Sequence, residues 1–350
     1  MNTSFGASKK KLLQVLNGEK TDQIPIWLMR QAGRYLPEYL ATRTKAGSFL
    51  NLCYSPEMAE EVTLQPIRRF GFDASILFSD ILVVPDALGQ TVGFREGEGP
   101  VLDPVTTLED LDKLDLGRVV KHLEPVYETV KRLTKSLPDE TTLIGFAGAP
   151  WTVATYMVGG RTSSDQGAAK AWAYKAPEEF QRLIDLLTDA TILHLSAQID
   201  AGAEVAQIFD TWAGSLPELQ FRTFAIEPVK RIVSSLRAKY PHIPVIGFPR
   251  GVGPLVIDYI NETGIQGISL DTGISLNWAR DEVQKLACVQ GNLDPLLLVA
   301  GGREMHAAAN NILKTLGKRP FIFNLGHGIV PQTPPEHVSE LVKLVRDYRH

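Results

Sequence analysis

The fold is decided by the stretch APEEFQRLIDLLTDATILHLSAQIDAGAEVAQIF, residues 176–209. It opens with Ala-Pro-Glu-Glu, and a proline at the first helical position followed by an acidic first turn favours the start of a long helix. It ends in the apolar run at residues 204–209, which is typical of a buried strand. Helix and strand alternating in this way indicate a parallel sheet.

The same alternation continues on both sides of this stretch. We predict strands at residues 24–29, 74–79, 142–146, 204–209, 244–248, 267–270, 287–290 and 321–324. Further helix starts are predicted at Ser55-Pro56-Glu57, with Ser55 as the N-cap, and at Pro334-Pro335-Glu336. Eight strand-then-helix units in roughly 300 residues favour a closed barrel over an open sheet. The sequence therefore predicts an α/β fold, a single (β/α)8 TIM barrel.

The barrel is expected to form one domain over residues 1–350, with a short N-terminal extension at residues 1–20. No internal repeat or linker interrupts it. A glycine-rich, alternating segment at residues 92–100 predicts a hairpin inserted after the second strand.

Composition restricts the function and the compartment. The 36 Lys and Arg residues against 40 Asp and Glu give a net charge of −4, which disfavours a general nucleic-acid or acidic-membrane binder. Two cysteines, Cys53 and Cys288, are too few for a disulfide framework or a cysteine-rich zinc site. Neither a signal-peptide core nor a membrane span is predicted, so we expect a cytoplasmic protein.

A barrel of this kind carries its active residues just past the strand ends. Those positions hold Arg30, Asp80, residues 148–150, Asp210, Arg250, Asp271, Asn292, Asp294 and His327. The alternative for any one of them is that strand ends are exposed, so polar residues belong there in any case. The whole set is stronger evidence for an active site than any one member. If the barrel prediction holds, all of these residues lie around one opening, the mouth of the barrel.

The densest polar motif is MRQAGRYLPE, residues 29–38, in which Arg30 and Arg34 flank a short Gln-Ala-Gly turn, with Arg43 following. Three guanidinium groups this close together favour a site for carboxylates or phosphates, because the planar guanidinium binds oxyanions in a bidentate way. Gly33 would let the backbone approach a ligand. A loop of solvated charges is the alternative.

Three further motifs contribute candidates. FSDILVVPDALG, residues 78–89, places Asp80 among apolar neighbours, where burial would raise the pKa of its carboxyl and nearby arginines would lower it; a structural aspartate at a turn is the alternative. GFAGAPWTVATYM, residues 145–157, supplies Tyr156, for which simple packing is the more common role. NLGHGIVP, residues 324–331, holds His327 between two glycines, which favours function. Phosphate-loop, dinucleotide-binding, zinc-protease and serine-hydrolase motifs are absent.

These motifs, together with QGNLDP at residues 290–295, resemble the uroporphyrinogen decarboxylase family in order and spacing, from about Ile24 to Val338. The resemblance implies a (β/α)8 barrel, a homodimer, and no metal or organic cofactor. It also implies a small-molecule substrate, uroporphyrinogen III. Its four acetate side chains would lose CO2 to give the methyl groups of coproporphyrinogen III, a step of haem and tetrapyrrole biosynthesis.

The resemblance also assigns residues. The family's substrate-binding stretch matches Arg30, Gln31, Ala32, Gly33 and Arg34. Asp80 matches the central aspartate that contacts the pyrrole N–H groups, and Tyr156 and His327 match further substrate contacts. Thr211 stands where the family often has serine, which keeps the hydroxyl. The resemblance gives no role to Arg250.

We therefore predict catalytic roles for Asp80 and Arg30. Loss of CO2 leaves an electron pair that needs a sink, usually a cofactor, and a pyrrole protonated on its ring carbon can serve instead. Asp80 would stabilise the resulting cation, and Arg30 would hold peripheral carboxylates and help to deliver the proton. A barrel that transfers methyl groups from cobalamin to a thiol through zinc, and a non-catalytic tetrapyrrole carrier, are the alternatives. The widely separated cysteines disfavour the first.

Overall fold

The structure, a computed structural model, describes residues 10–95 and 99–349. Its helices are α1 (Lys11–Leu16), α2 (Pro37–Ala46), α3 (Phe49–Cys53), α4 (Pro56–Phe70), α5 (Val83–Leu88), α6 (Leu108–Leu111), α7 (Val119–His122), α8 (Glu124–Ser136), α9 (Pro150–Gly159), α10 (Gly167–Lys175), α11 (Pro177–Asp200), α12 (Glu218–Phe221), α13 (Glu227–Lys239), α14 (Val256–Thr263), α15 (Leu276–Asp281), α16 (Pro295–Ala300), α17 (Gly302–Leu316) and α18 (Pro335–Asp347). Within these ranges, none of the helices combines the length and the apolar character needed to cross a bilayer.

The described ranges also contain nine strands: β1 (Ala74–Ile76), β2 (Val92–Arg95), β3 (Gly99–Leu102), β4 (Thr142–Gly148), β5 (Val205–Asp210), β6 (Val245–Pro249), β7 (Gly267–Ser269), β8 (Cys288–Leu293) and β9 (Phe321–Leu325). Seven of them form one parallel sheet in the order β1-β4-β5-β6-β7-β8-β9. These seven confirm the strands predicted from residue 74 onward. The predicted hairpin is also confirmed, because β2 and β3 pair in antiparallel fashion.

The three predicted helix starts are confirmed as well. Pro56, Pro177 and Pro335 each occupy the first position of a helix, where a missing N–H costs nothing because that group has no partner within the helix. Ser55 stands at the N-cap of α4 with an extended backbone, but its side chain makes no capping hydrogen bond. The proline and the acidic first turn therefore define this start without help from the serine hydroxyl.

The strand predicted at residues 24–29 is the exception. It forms a single parallel bridge, between Ile26 and Phe323 of β9. Pro25 has no N–H to donate, and its carbonyl accepts the N–H of Phe323 at 2.9 Å. On the other side, Ile26 accepts the N–H of Asp73 at 3.0 Å and donates its own N–H to the Asp73 carboxylate at 3.0 Å. The Asp73 carboxylate thus accepts the bond that a backbone carbonyl of a neighbouring strand would accept in a regular sheet. The hydrogen-bond ladder is therefore irregular at residues 24–29.

A buried polar network ties this segment to the sheet. The indole N–H of Trp27 donates to Gln290 of β8 at 2.8 Å. The amide of Gln290 donates in turn to Gln207 of β5 at 3.2 Å and to Ser269 of β7 at 2.6 Å. All four residues are buried. We call the side of the sheet that carries Gln207 and Gln290 its inner face.

Helix α1 covers the amino-terminal ends of the strands. Its residues Leu12 and Leu16 are buried, and Leu16 lies directly against Gly267, the first residue of β7. Just before the helix, Lys10 forms a 2.6 Å ion pair with Glu204, which immediately precedes β5. The end of the sheet opposite to the predicted mouth is therefore closed by the first described helix.

The inner-face network generates a stability prediction. Gln290→Leu leaves the Trp27 indole N–H and the Ser269 hydroxyl without their partner in a buried environment, so we expect a loss of about 2–4 kcal/mol in the free energy of unfolding. Urea denaturation followed by circular dichroism measures it. The matched control is Gln332→Leu, at an exposed position. Equal stability of the two variants would contradict the importance of the network.

Candidate active site

The carboxyl ends of parallel strands lie along one edge of a sheet, so the segments that follow them are neighbours. We call this edge the mouth. The strand register shows which side chains lead towards it on the inner face: Gln207 is paired with Phe146 and with Ile246, and Phe209 with Phe248. Since side chains alternate along a strand, Phe209 and Phe248 continue the inner face by one step beyond the glutamine network.

Aromatic rings line this inner face below the mouth. The rings of Phe146 and Phe209 lie 5.7 Å apart, and those of Phe209 and Phe248 lie 6.4 Å apart, both edge to face. Sequence reasoning missed these residues. For Phe209 and Phe248 the available signal was their place near the strand end, one and two residues before the polar Asp210 and Arg250, whereas Phe146 carried no such signal. We call this set the aromatic floor.

Arg30 is held between the segment that bridges β9 and the residues at the end of β9 and in the loop after it. Its neighbour Met29 donates its N–H to Asn324 Oδ1 at 3.0 Å and accepts the N–H of Ile329 at 2.9 Å. The aliphatic stem of Arg30 lies over Gly328, where a β-carbon would come within 2.4 Å of the arginine Cδ. Arg30 also has a φ of 61°, a conformation that costs about 1–3 kcal/mol for a residue other than glycine. The surrounding contacts therefore stabilise a strained backbone.

Asp80 lies past the end of β1, as predicted. Its Oδ1 accepts the N–H of Leu82 at 2.9 Å. Burial raises the pKa of the Asp80 carboxyl, while the Leu82 hydrogen bond and the positive charge of Arg30 act in the opposite direction. Next to it, Ile81 packs against Gly148, where a β-carbon would clash with the isoleucine side chain at 2.9 Å. The structure thus combines Asp80, Arg30 and apolar walls.

The other two arginines are Arg34 of the same motif and Arg43, which follows it, and neither is among the charges that shift the pKa of Asp80. Arg34 is exposed. The guanidinium of Arg43 lies over the ring of Phe49, at 5.5 Å from its centre. Burial raises the pKa of the nearby Tyr39 hydroxyl, and a hydrogen bond with Arg43 opposes that shift. The three guanidinium groups therefore occupy different surroundings, and Arg30 is the one coupled to Asp80.

The turn between Arg30 and Arg34 is fixed by its own hydrogen bonds and close contacts. Gln31 is buried, and its side chain bonds the backbone of Leu28 and of Ala74 at 3.3 Å each. Ala32 and Gly33 are half-buried. A β-carbon on Gly33 would stand 3.0 Å from the carbonyl oxygen of Arg30, so glycine allows the chain to fold back tightly.

His327 reaches from the loop after β9 towards the aromatic floor. Its ring lies 6.4 Å from that of Phe248. Burial, followed by the positive charges of Arg30 and Arg250, lowers the pKa of His327 to about 3. The imidazole is therefore neutral at pH 7. It can donate or accept a hydrogen bond, but it does not add a positive charge to the mouth.

Two hydroxyl-bearing candidates complete the predicted set. Thr211 is half-buried and directly follows β5, two residues after Phe209 of the aromatic floor. Tyr156 is half-buried on α9. Neither side-chain hydroxyl has a hydrogen-bond partner among residues 10–95 and 99–349. Both remain available to a ligand.

Asp210 does not face the mouth, so the prediction made from its position at a strand end is wrong. It is fully buried and points away from the inner face, because it alternates with Phe209 along β5. The hydroxyl of Thr152 on α9 donates to Asp210 Oδ1 at 2.5 Å, while Oδ2 has no partner within the described ranges. Burial raises the pKa of the Asp210 carboxyl to about 7, against the opposing effect of its bonds with Thr152.

The remaining strand-end residues hold loops together. Asp271 accepts the N–H of Gly251 at 2.7 Å and of Gly273 at 2.8 Å. The side chain of Asn292 donates to the Asp271 carbonyl at 2.9 Å. Asp294 caps α16 through a 2.8 Å bond from Leu296 N–H. These groups stabilise the rim of the mouth by bonding backbone atoms.

Metal-ligating residues are dispersed in the part of the chain that the structure describes. No group of three or more His, Cys, Asp or Glu side chains there is placed to bind a metal ion. Both cysteines are buried: Cys288 begins β8, at the end of the strand away from the mouth, whereas Cys53 ends α3 near Asp80. The two thiols therefore do not belong to one site.

The fold and this site define an α/β enzyme that carries a charged mouth at the carboxyl ends of a parallel sheet. The family model described as Uroporphyrinogen decarboxylase (URO-D) matches residues 7–348. The chain belongs to that family.

Individual relatives agree with this assignment. A protein from Rhodospirillum rubrum named "Uroporphyrinogen decarboxylase" is 58% identical over 339 residues, which cover 97% of each chain. One of the same name from Agrobacterium fabrum is 56% identical over 97% of this chain and 98% of its own. A solved structure of a methyltransferase from Methanosarcina mazei aligns with a TM-score of 0.74 over 97% of this chain and 98% of its own. Its sequence identity is 21%, so it bears on the fold alone.

The buried carboxyl of Asp210 predicts a pH dependence of stability. Folding raises its pKa from 3.8 to about 7, so the protonated form stabilises the native state below pH 4 and that stabilisation is lost as the pH rises through about 7. Asp210→Asn removes the titration. We expect the variant to gain roughly 2–3 kcal/mol relative to wild type between pH 5 and pH 8. Urea unfolding at both pH values measures it, with Asp139→Asn at an exposed position as control. Parallel pH profiles for all three proteins would refute it.

Proposed function

We propose that this chain is a carboxy-lyase that removes the carboxyl groups of the four acetate side chains of uroporphyrinogen III, to give coproporphyrinogen III and CO2 in haem and tetrapyrrole biosynthesis. Membership of the family and the name shared by its relatives support this activity. The observation that carries it is the pairing of Asp80 with Arg30 beside an aromatic floor. A large ring with apolar faces and an anionic periphery suits such a mouth.

The reaction needs a place for the electrons of the broken carbon–carbon bond. Protonation of the ring carbon adjacent to the one that bears the acetate makes the ring cationic, with the positive charge shared between the nitrogen and the acetate-bearing carbon. The bond to the carboxylate then breaks, CO2 leaves, and the bonding pair enters the ring system as an exocyclic methylene. A proton added to that methylene gives the methyl group, and loss of the ring proton restores the pyrrole. The pyrrole is its own electron sink, so this sequence calls for no cofactor.

Asp80 is proposed to stabilise the cationic ring and to orient its N–H groups. A carboxylate fixed next to apolar side chains acts through a weakly screened field, so its effect on the transition state is large. Burial raises the pKa of the Asp80 carboxyl, and Arg30 opposes that rise together with the Leu82 hydrogen bond, so both favour the charged form that this role requires. The two residues are therefore proposed to act together.

The other assignments concern binding. Arg30 and Arg34 are proposed to hold peripheral carboxylates, with the main chain of residues 31–33 shaping the turn between them. His327 is proposed to bond the substrate as a neutral imidazole, and the free hydroxyls of Tyr156 and Thr211 to donate to its carboxylates. Arg30 is also proposed to help deliver the proton, although its very high pKa makes it a weak acid unaided.

The architecture is proposed to be a single closed (β/α)8 barrel over residues 1–350, with residues 1–20 as an N-terminal extension. The parallel sheet has seven strands, and residues 25–28 would be the eighth strand that closes the barrel. Support comes from the pairing on both sides of Ile26. Its neighbours Pro25 and Trp27 bond the backbone of Phe323 of β9, and Ile26 itself bonds Asp73, the residue before β1. We further propose a cytoplasmic homodimer that binds neither nucleic acid nor membrane. Sedimentation equilibrium checks the dimer: we expect twice the chain mass, and a single-chain mass at micromolar concentration would refute it.

Asp80→Asn tests the chemistry. The amide keeps the shape of the side chain but removes the negative charge, so we expect kcat to fall by about 10²–10³ with the free energy of unfolding nearly unchanged. The assay incubates purified protein anaerobically with uroporphyrinogen III and counts the carboxyl groups of the products by chromatography. Asp139→Asn, an exposed aspartate away from the mouth, is the control and should match wild type.

Two outcomes would contradict the proposal. A folded Asp80→Asn variant with near-normal turnover removes Asp80 from the catalytic role. Wild-type protein that binds uroporphyrinogen but releases no CO2 indicates a tetrapyrrole carrier, and the decarboxylase proposal then fails as a whole.

A further inference from the structure

Arg250 is an arginine of the mouth that the proposed function leaves without a role. It directly follows β6, and its backbone is fixed on both sides. Its N–H donates to the carbonyl of Asp210 at 3.1 Å, and its carbonyl accepts the N–H of Gly214 at 2.9 Å. The next residue, Gly251, donates to the carboxylate of Asp271 at 2.7 Å. Arg250 therefore has a rigid attachment between the loops that follow β5 and β7.

Arg250 lies at the mouth, one residue past the end of β6 and two residues after Phe248 on the inner face. Its charge acts on His327: after burial and the charge of Arg30, Arg250 is the third cause of the lowered pKa of that histidine. The charges of Arg250 and Arg30 therefore both act on His327, so both arginines belong to the site at the mouth.

The guanidinium of Arg250 has no partner in the described part of the chain, since neither an ion pair nor a side-chain hydrogen bond involves it. Arginines on the outer helices differ. Arg222 contacts three carboxylates and Arg132 also contacts three. Arg250 is half-buried, and a partly desolvated guanidinium without a counter-ion is unfavourable unless a ligand supplies the oxygen atoms.

The strand order places Arg250 far from Arg30 around the sheet. Strand β6 is the central strand of the seven, whereas Arg30 follows the segment that bridges β9 at one end of the sheet. The side chain of His327 reaches from the β9 loop to Phe248 on β6. The two arginines therefore approach the aromatic floor from different sides of the mouth.

We propose that Arg250 binds a carboxylate on the periphery of the substrate, on the side of the ring that faces β6. This assignment rests on the proposed function. A macrocycle that carries carboxylates all around its edge needs cations on more than one side, and the motif of residues 29–38 supplies them from one side only. Arg250 is a substrate-binding residue here, and it takes no part in proton transfer or in breaking the carbon–carbon bond.

The experiment compares Arg250→Gln, Arg250→Lys and wild type in steady-state decarboxylation of uroporphyrinogen III. A charge-assisted, bidentate bond predicts that the glutamine variant raises KM about 10- to 100-fold while kcat stays within about twofold. The lysine variant keeps the charge and should recover part of the loss. Arg303→Gln, at an exposed arginine of α17 whose ion pair is with its sequence neighbour Glu304, is the matched control. It should match wild type.

The possible outcomes separate this proposal from the proposed function. An unchanged KM in Arg250→Gln, or a fall in kcat with KM unchanged, overturns the assignment. Should the glutamine variant fail to fold, Arg250→Met, which keeps the aliphatic stem, is measured in its place.

If wild type releases no CO2, the decarboxylase proposal fails. A fluorescence titration with the same macrocycle then compares the affinities of wild type and variant, and equal affinities overturn the role of Arg250.

Discussion

The backbone of Met29 connects the segment that bridges β9 with the carboxyl end of β9 and the loop after it, and the site depends on that connection. Its N–H bonds Asn324 and its carbonyl bonds Ile329, so two stretches 295 residues apart in sequence are held together at the mouth. The position of Arg30 over Gly328 follows directly from these bonds. Without them, the arginine and His327 would belong to separate loops, and Asp80 would lack the charge that opposes its protonation.

Among the residues that the structure describes, the mouth contains unpaired positive side chains, although the molecule as a whole is negatively charged. The chain is net acidic, yet Arg30 and Arg250 both lack a carboxylate partner in the ranges that the structure describes. Burial disfavours the charged form of Asp80 and of His327 alike. The charge of Arg30 acts on the two in opposite directions, favouring the aspartate anion and disfavouring the imidazolium, and Arg250 also disfavours the imidazolium. A buried carboxylate beside Arg30, with Arg250 on another side of the mouth, suits a substrate that is anionic at its edge and cationic at its centre during reaction.

Much of the fold and part of the candidate site could be predicted from the sequence. The remaining features could not, for physical reasons. Strand-and-helix alternation and proline-led helix starts are local signals, so the seven sheet strands and three helix starts were predictable. The irregular pairing of residues 24–29 was not, because it depends on the side chain of Asp73, distant in sequence. Asp210 was misplaced since adjacency to a strand end does not tell which face a residue takes. Aspartates such as Asp271 look catalytic in sequence, but bond backbone amides in the structure.

The contact between Arg30 and Gly328 has a consequence for how the protein is made. On the ribosome the chain emerges from its amino terminus, so Arg30, Asp80 and most of the sheet are exposed to the cell before β9 and its glycine have been synthesised. The contacts that place the arginine are among the most distant in sequence that this chain can form, and such contacts carry the largest loop-closure entropy. A nascent or truncated chain therefore has its arginines but not their arrangement, and only release of the complete polypeptide assembles the mouth.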